Sequence, residues 1–539
     1  MRVRPLKTGG KGVLNPFFKM SGVETADSIT TTPMKEPIIP ILAAMLLAAP
    51  TALLKADDSP KPLEKPNIVY ILADDLGYGD VQSLNPERGK IKTPNVDRLV
   101  SQGMSFTDAH AGAAVCTPSR YGILTGRYAW RSKIQKGVMN NYGPPLIQPD
   151  QLTVASMLKQ QGYYTGIIGK WHLGFTIDGA SGKKAGAAPG KFMGAPLGSV
   201  THDGPTTRGF DSYFGFHHAR MMKSFFTDDR VTQIIEPINV LPALVTRTQE
   251  FIAEHTKRGH PPFFLYLALS SPHIPIVPTP EWQGKSGSLG AYGDFVMETD
   301  WAVGQILEAI DKAGIANNTI VMFASDNGFS PHAGKKLLES QGHFPSADRR
   351  GYKADIWDGG HRIPFVVRWP GTVSAGSHCD QIVSLVDFMA TCADILKVKL
   401  PDNAAEDSVS ILPALSGTDH GPLHEAIVYH SISGRFAIQQ GQWKLELCPG
   451  SGGWSKDPSD AIAVKDGLPL IQLYDMTSDV GEQHNMESKH PEIVKRLLPL
   501  LEKYIADGRS TPGSKEKNET DVDIWKKQLN DGKLPVLDD

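Results

Sequence analysis

The distribution of apolar and polar positions divides the chain into a strand–helix series followed by a group of short strands. Continuous apolar runs bounded by Pro, Gly or charge recur at Asn67–Ala73, Tyr163–Gly169, Pro261–Leu269, Thr319–Ala324 and Ile363–Trp369. Runs of this kind are strands buried on both faces, as in a parallel sheet. A further strand over Gly103–His110 leads toward Cys116. Between the strands, helical spacing is found from Thr93 onward, over 152–161, Ala243–His255, Tyr292–Ala313 and Leu385–Leu396. The second of these carries Leu152, Ala155, Met157 and Leu158; the fourth carries Phe295, Val296, Ala302, Val303, Ile306, Leu307 and Ile310. The alternation predicts an α/β fold with a large mixed, mostly parallel sheet flanked by helices. Past residue 420 the pattern shortens to Ala426–His430, Phe436–Gln440 and Trp443–Cys448 with Gly-containing turns, then an apolar helix at 491–505. This predicts a smaller C-terminal antiparallel sheet with its own helix, and places a catalytic domain at 57–420 and a subdomain at 421–539.

The ends of the pattern carry other information. Residues 1–33 have no structural periodicity and read as an N-terminal extension. Residues 34–56 have the charged start and the short apolar run of a secretory signal, with Met34 as the biological start and Ala56 before the cleavage point. The run is short for a membrane span, and no cysteine follows it for lipid attachment. A secreted or periplasmic protein without stable membrane insertion is expected. Residues 179–207, rich in Gly, Ala, Pro and Lys, read as a surface excursion near the site.

Composition narrows the classes of partner. A net charge of −3 over 539 residues gives no electrostatic case for nucleic acid or an anionic membrane. An anionic substrate must then be held by local positive charge or by metal. Four cysteines, Cys116, Cys379, Cys392 and Cys448, are too few for a disulfide framework and fit no zinc spacing.

Chemistry-bearing residues collect at the ends of the predicted strands: Asp74 and Asp75, Lys170 and His172, His273, Asp326 and Asn327. In open α/β sheets that edge is where ligands bind. The Asp and Asn side chains offer only hard oxygen, which selects Ca²⁺ or Mg²⁺ over zinc, and three close carboxylates repel one another without a cation. Cys116 stands just before Pro118, at the start of a predicted short helix. An exposed thiol there would meet orphan N–H groups, with Arg120 one turn on, a setting suited to an anion.

The string Cys116-Thr117-Pro118-Ser119-Arg120 matches the C-x-P-S-R element of type I sulfatases, and the chain resembles that family, with arylsulfatases and N-acetylgalactosamine-6-sulfatases as its kind. The resemblance implies an alkaline-phosphatase-like fold, a divalent cation on Asp74, Asp75, Asp326 and Asn327, and conversion of Cys116 to formylglycine by a formylglycine-generating enzyme. Hydrated, that group is a geminal diol: one oxygen attacks sulfur, and the second expels sulfate and restores the aldehyde. By the same resemblance His273, supported by Lys353, protonates the leaving oxygen, Lys170 binds sulfate oxygens, His172 is the base, and Arg120 steadies the diol and carboxylates. Lys353 lies in a segment running to Pro364 that looks like the family's Lys-…-Glu-Gly-Gly-x-Arg-x-Pro, with Asp358 in place of Glu. His217, His218 and His361 are candidates for contacting substrate, or else ordinary packing residues. The expected substrate is a sulfated carbohydrate or another small sulfate ester. Phosphonate monoester hydrolases and phosphodiesterases of the superfamily can share the C-x-P-S-R element and are the enzymatic alternative. A non-catalytic glycan-binding relative should lack part of the set, whereas every matched position is filled.

Overall fold

The central strand β1 (Asn67–Ala73) explains the layering of the molecule. Its side chains alternate, and both faces are buried. Ile68, Tyr70 and Leu72 join one core, with side chains of the helices Cys116–Thr125, Val154–Gln160 and Phe388–Ile395. Val69, Ile71 and Ala73 join a second core, under the helices Pro94–Gln102, Val240–His255 and Gly290–Lys312. A strand covered on both sides has no polar face to present, which is why it is written as an unbroken apolar run. In the helix Val240–His255 the residues Leu241, Leu244, Val245, Thr248, Phe251 and Ile252 fall on one stripe and are buried.

The computed structural model describes residues 65–178, 194–257, 259–418 and 421–526. The N-terminal extension, the signal segment and most of the 179–207 excursion lie outside the described residues. The large sheet also contains β2 (Met104–Phe106), β4 (Tyr164–Lys170), β5 (Ser212–Phe216), β6 (Ser224–Thr227), β7 (Arg230–Ile234), β8 (Phe263–Ala268), β9 (Thr319–Ser325), β10 (Phe365–Arg368) and β11 (Ser377–Cys379). Its order is β11-β2-β10-β9-β1-β8-β4-β5-β6-β7. The five strands from β9 to β5 are mutually parallel, and antiparallel pairs extend them on both sides. The expected single strand over 103–110 is two: β2 and a short β3 (Ala109–His110), which pairs instead with β12 (Val383–Ser384). The helix expected to begin at Leu385 opens with a tight turn over Leu385–Asp387 before Phe388.

A four-stranded antiparallel sheet follows: β13 (Ile427–His430), β14 (Phe436–Gln440), β15 (Trp443–Glu446) and β16 (Gln472–Asp475). One face, with Val428, Ile438, Leu445 and Leu473, packs on the helix Pro491–Ala506 and on Tyr128 and Trp130. The other face, through Ile427, Tyr429 and Ala437, packs on Ile356 and Trp357, three and four residues beyond Lys353. From Lys65 onward the described residues belong to one compact unit, the small sheet included.

Candidate active site

Four adjacent parallel strands deliver the candidate residues to one place. In register, Ala73 of β1 lies opposite Ser325 of β9, so Asp74 and Asp326 leave the sheet side by side. His273 follows β8 on the other flank of β1, and Lys170 is the last residue of β4. Gly169 makes that delivery possible. It sits at φ +112°, and a Cβ there would come within 1.8 Å of the Ala268 carbonyl oxygen. Asp75 (φ 66°) and His172 (φ 59°) hold left-handed backbone without being glycine. Such conformations are costly and persist where surrounding structure enforces them, typically at functional sites.

Each carboxylate has a close cation, and Arg120 reaches two of them, Asp326 and, at 3.6 Å, Asp74. Lys170 Nζ donates to Asp74 Oδ2 at 2.6 Å. The Arg120 guanidinium donates to Asp326 Oδ2 from Nε (3.0 Å) and Nη2 (2.7 Å), and its Nη1 donates to the Lys170 carbonyl (3.0 Å). Lys353 Nζ donates to Asp75 Oδ1 and to Cys116 Sγ, the latter at 3.3 Å. Three carboxylates thus face three side-chain cations, all buried. Burial alone would raise the carboxyl pKa of Asp74 and Asp75; the cations around them prevail, Lys170, His273 and Arg120 for the first and Lys353 and His273 for the second, and hold both below the usual range.

The thiol differs from its sequence expectation. The helix Cys116–Thr125 does begin at Cys116, with Pro118 in its first turn, and ends at Gly126 in the left-handed conformation. The Cys116 side chain is buried rather than exposed, at 2% of its accessible area. Burial pushes its pKa up to about 12, although Lys170 and Lys353 pull it down. A thiol held protonated is a poor nucleophile, since the thiolate is the reactive form.

The histidines separate into different roles. His172 Nε2 lies 2.9 Å from the Met139 carbonyl oxygen, which can only accept, so Nε2 carries the proton. Its Nδ1, buried and without a hydrogen-bond partner, is then the basic nitrogen. Burial first, then the neighbouring His218 and Lys170, keeps that ring neutral. His273 Nδ1 contacts the Ile274 carbonyl, and its Nε2 stands 3.7 Å from Asp75 Oδ2. With 16% of its side chain exposed, His273 is the most accessible of the predicted site residues.

The three histidines put forward for substrate contact are placed unequally. His218 lies beside His172, ring centroids 4.4 Å apart, and accepts from the Arg220 N–H. His217 is wholly buried against Tyr142 and Phe175, and neither of its ring nitrogens has a hydrogen-bond partner among the described residues. His361 is not at the site. It stacks on Tyr429 (4.2 Å, 15°), meets His110 Nδ1 to Nδ1 at 2.9 Å, and lies 3.3 Å from Lys444 Nζ. Asp358 joins the same buried network through Lys444 and Arg362. Tyr429 and Lys444 come from the small sheet, which nothing local in the sequence announces.

Two supporting groups escaped the sequence reading. Thr117 Oγ1 donates to the His172 carbonyl (3.0 Å) and accepts from Met139 N–H (3.2 Å). Asp80 closes the turn after Asp75, accepting from Gly77 N–H (2.8 Å) and Tyr292 OH (2.6 Å), with His343 Nε2 at 2.8 Å. The Gly77-Tyr78-Gly79-Asp80 spacing is the signal that marks this turn.

The residues fit a hard cation on a test independent of sequence. Asp74 Oδ1 and Asn327 Oδ1 are buried and accept no hydrogen bond, which is costly for oxygen unless something else supplies positive charge. Ligand atoms of Asp74, Asp75, Cys116 and His273 lie within 4.8 Å of one another.

The sulfatase family model matches residues 66–398. The chain belongs to the sulfatase family. This sulfatase is 32% identical over 523 residues to the N-acetylgalactosamine-6-O-sulfatase of Bacteroides thetaiotaomicron, covering 86% of the chain and 98% of that relative. It is 31% identical over 486 residues to arylsulfatase A of Homo sapiens, covering 84% and 90%. Among solved structures, it matches a sulfatase from work on glycosaminoglycan metabolism by Bacteroides thetaiotaomicron with TM-score 0.71 and 30% identity, over 82% of the chain and 99% of that structure. The phosphonate monoester hydrolase of Agrobacterium radiobacter, at 19% identity and TM-score 0.52 over 81% and 94%, shares the fold alone. The sulfatase is accordingly a sulfuric ester hydrolase with an alkaline-phosphatase-like sheet. No helix among its described residues is long and apolar enough to cross a membrane.

Proposed function

We propose that this sulfatase removes sulfate from a sulfated glycan or oligosaccharide, acting at a chain end, after export from the cytoplasm. The observation that carries the reading is the meeting of Cys116 Sγ, Lys353 Nζ and the Asp75 carboxylate in one buried spot at the sheet's edge. Family membership supports formylglycine at position 116, and the protonated, buried thiol supports it too, because an unaltered Cys116 offers no ready nucleophile. The name of the Bacteroides relative, an N-acetylgalactosamine-6-O-sulfatase, supports a sulfated amino sugar as the substrate class.

Asp74, Asp75, Asp326 and Asn327 would hold Ca²⁺, with Mg²⁺ as the other hard ion they suit. When bound, the ion supplies Lewis-acid charge to the sulfate oxygens and to the nucleophile. The formylglycine hydrate supplies the attacking oxygen and the second hydroxyl that releases sulfate. The remaining work belongs to this chain's side chains. Lys170 and Lys353 hold sulfate oxygens and offset charge that builds during S–O cleavage. His273, at the open side with its Nδ1–H on the Ile274 carbonyl, takes up a second proton at Nε2, which burial opposes and the Asp75 carboxylate 3.7 Å away favours, and gives that proton to the departing alkoxide. His172 Nδ1 takes the proton whose removal frees the product sulfate. Arg120, buried against Asp326, fixes the carboxylates and the end of β4.

Sulfate release from 4-nitrophenyl sulfate and from 6-O-sulfated N-acetylgalactosamine oligosaccharides, beside phosphate diester and phosphonate monoester controls, tests this. Sulfate turnover well above both controls is expected. Preference for a phosphonate ester would overturn it.

A further inference from the structure

A cleft of about 940 Å³ opens next to the candidate site, at the top of the range that encloses a small ligand. Its inner wall is Met139, whose N–H donates to Thr117, the neighbour of Cys116, and whose carbonyl accepts from His172. The lining also includes Ser433, on a loop anchored to the same region: the Ile432 carbonyl accepts from Gly137 N–H (2.7 Å) and the His430 carbonyl from Ala114 N–H (3.0 Å). The cleft therefore adjoins, through Met139, the residues that flank Cys116. Pro144, Pro145 and Leu146 give it an apolar side, as the faces of sugar rings require.

The polar lining is rich in cations. Lys133, Lys136 and Lys526 border the cleft, together with Asp521 and Asp523. Lys526 is partly buried beside the Phe436 ring (5.4 Å), with Nζ 3.3 Å from Gln135 Oε1. Its ammonium is disfavoured by burial and also by Lys136 and Arg435, while Asp523 favours it. Three lysines outnumber the two carboxylates of the lining, so the cleft is net positive in a chain whose net charge is −3, and a further anion is attracted to it.

We propose that this cleft is a subsite for the anionic chain beyond the sugar whose ester is cut, Lys136 and Lys526 pairing with its sulfate or carboxylate groups and the Met139–Pro145 side lying under its rings. The assignment rests on the reading of the site as a glycan sulfatase and extends it from a single sugar to an oligosaccharide.

The test compares full-length wild type with Lys136→Gln/Lys526→Gln on 4-nitrophenyl sulfate and on a sulfated galactosaminoglycan hexasaccharide. Two partly exposed ion pairs lead to a KM for the hexasaccharide raised about fivefold, with kcat unchanged. The aryl sulfate, too small to reach the cleft, keeps its kinetics, and 0.5 M salt erases the difference between the enzymes. An unaltered hexasaccharide KM, or an equal loss on both substrates, overturns the subsite. Calorimetric binding of the same hexasaccharide separates the two claims. Lysine-dependent binding without sulfate release sinks the glycan-sulfatase reading and keeps the cleft. Turnover indifferent to the lysines does the reverse, and neither binding nor turnover overturns both.

Discussion

Cys116, Lys353 and His273 act through single atoms, so their variants report on separate parts of the chemistry. Cys116→Ala removes the proposed origin of the nucleophile without disturbing an ion pair. Turnover of 4-nitrophenyl sulfate is expected to fall by at least about a thousandfold with the melting temperature retained. Peptide mass with hydrazine trapping checks the companion expectation of an aldehyde at position 116 in active native protein. His273→Ala should lose about 10²-fold or more in kcat on alkyl sulfates, whose alkoxides need a proton, and much less on 4-nitrophenyl sulfate. Equal losses on the two would remove His273 from the acid role. Lys353→Ala leaves Asp75 with one cation fewer, so it should lower kcat about 10²-fold on both substrates.

At the scale of elements, the site depends on turns that follow strands. Asp80 ties Gly77, Tyr292 and His343 together just past Asp75, so it positions that carboxylate without touching substrate. Asp80→Asn is expected to cost about 1–3 kcal/mol of stability in urea unfolding, as buried hydrogen bonds lose their charged acceptor. It should also weaken activation by added Ca²⁺, a shift that a merely structural role would not produce. The strands themselves were legible because burial on both faces leaves an apolar run with a sharp end, and Asp74, Lys170 and Asp326 mark those ends. Met139 and Thr117 were not, since a loop without periodicity carries no trace of which carbonyl a distant histidine will find. His361 misled for a related reason: its neighbours Tyr429 and Lys444 lie more than sixty residues away, in a sheet whose packing partner the sequence does not name.

The whole molecule carries a pH dependence of its own. His217 and His430 are buried, with pKa lowered to about 3 and about 4, in each case chiefly by burial. Both remain neutral when folded and titrate near 6.5 when unfolded. Their contribution is therefore complete above pH 6.5 and is lost as the pH falls toward 4 and then 3, by about 2 kcal/mol each at pH 5. Urea unfolding at pH 7.5 and 5.0 checks this, and His430→Gln should remove only its own share, about 2 kcal/mol, because His110, His172, His218 and His361 are held neutral by burial in the same way. Chelation should abolish turnover and lower the melting temperature together, since an ion bound only by the folded state stabilises it by about 2.7 kcal/mol at a hundred times its Kd.

On the formylglycine reading proposed above, the burial of Cys116 also bears on the order of events in the cell. An oxidising enzyme must reach the thiol itself, and in the finished fold that sulfur lies beneath Lys353 with 2% of the residue's surface open. On that reading conversion is expected before folding is complete, while the thiol can still be reached. A polypeptide that folds first would then keep an unconverted thiol, and the yield of working enzyme would follow the balance between maturation and collapse.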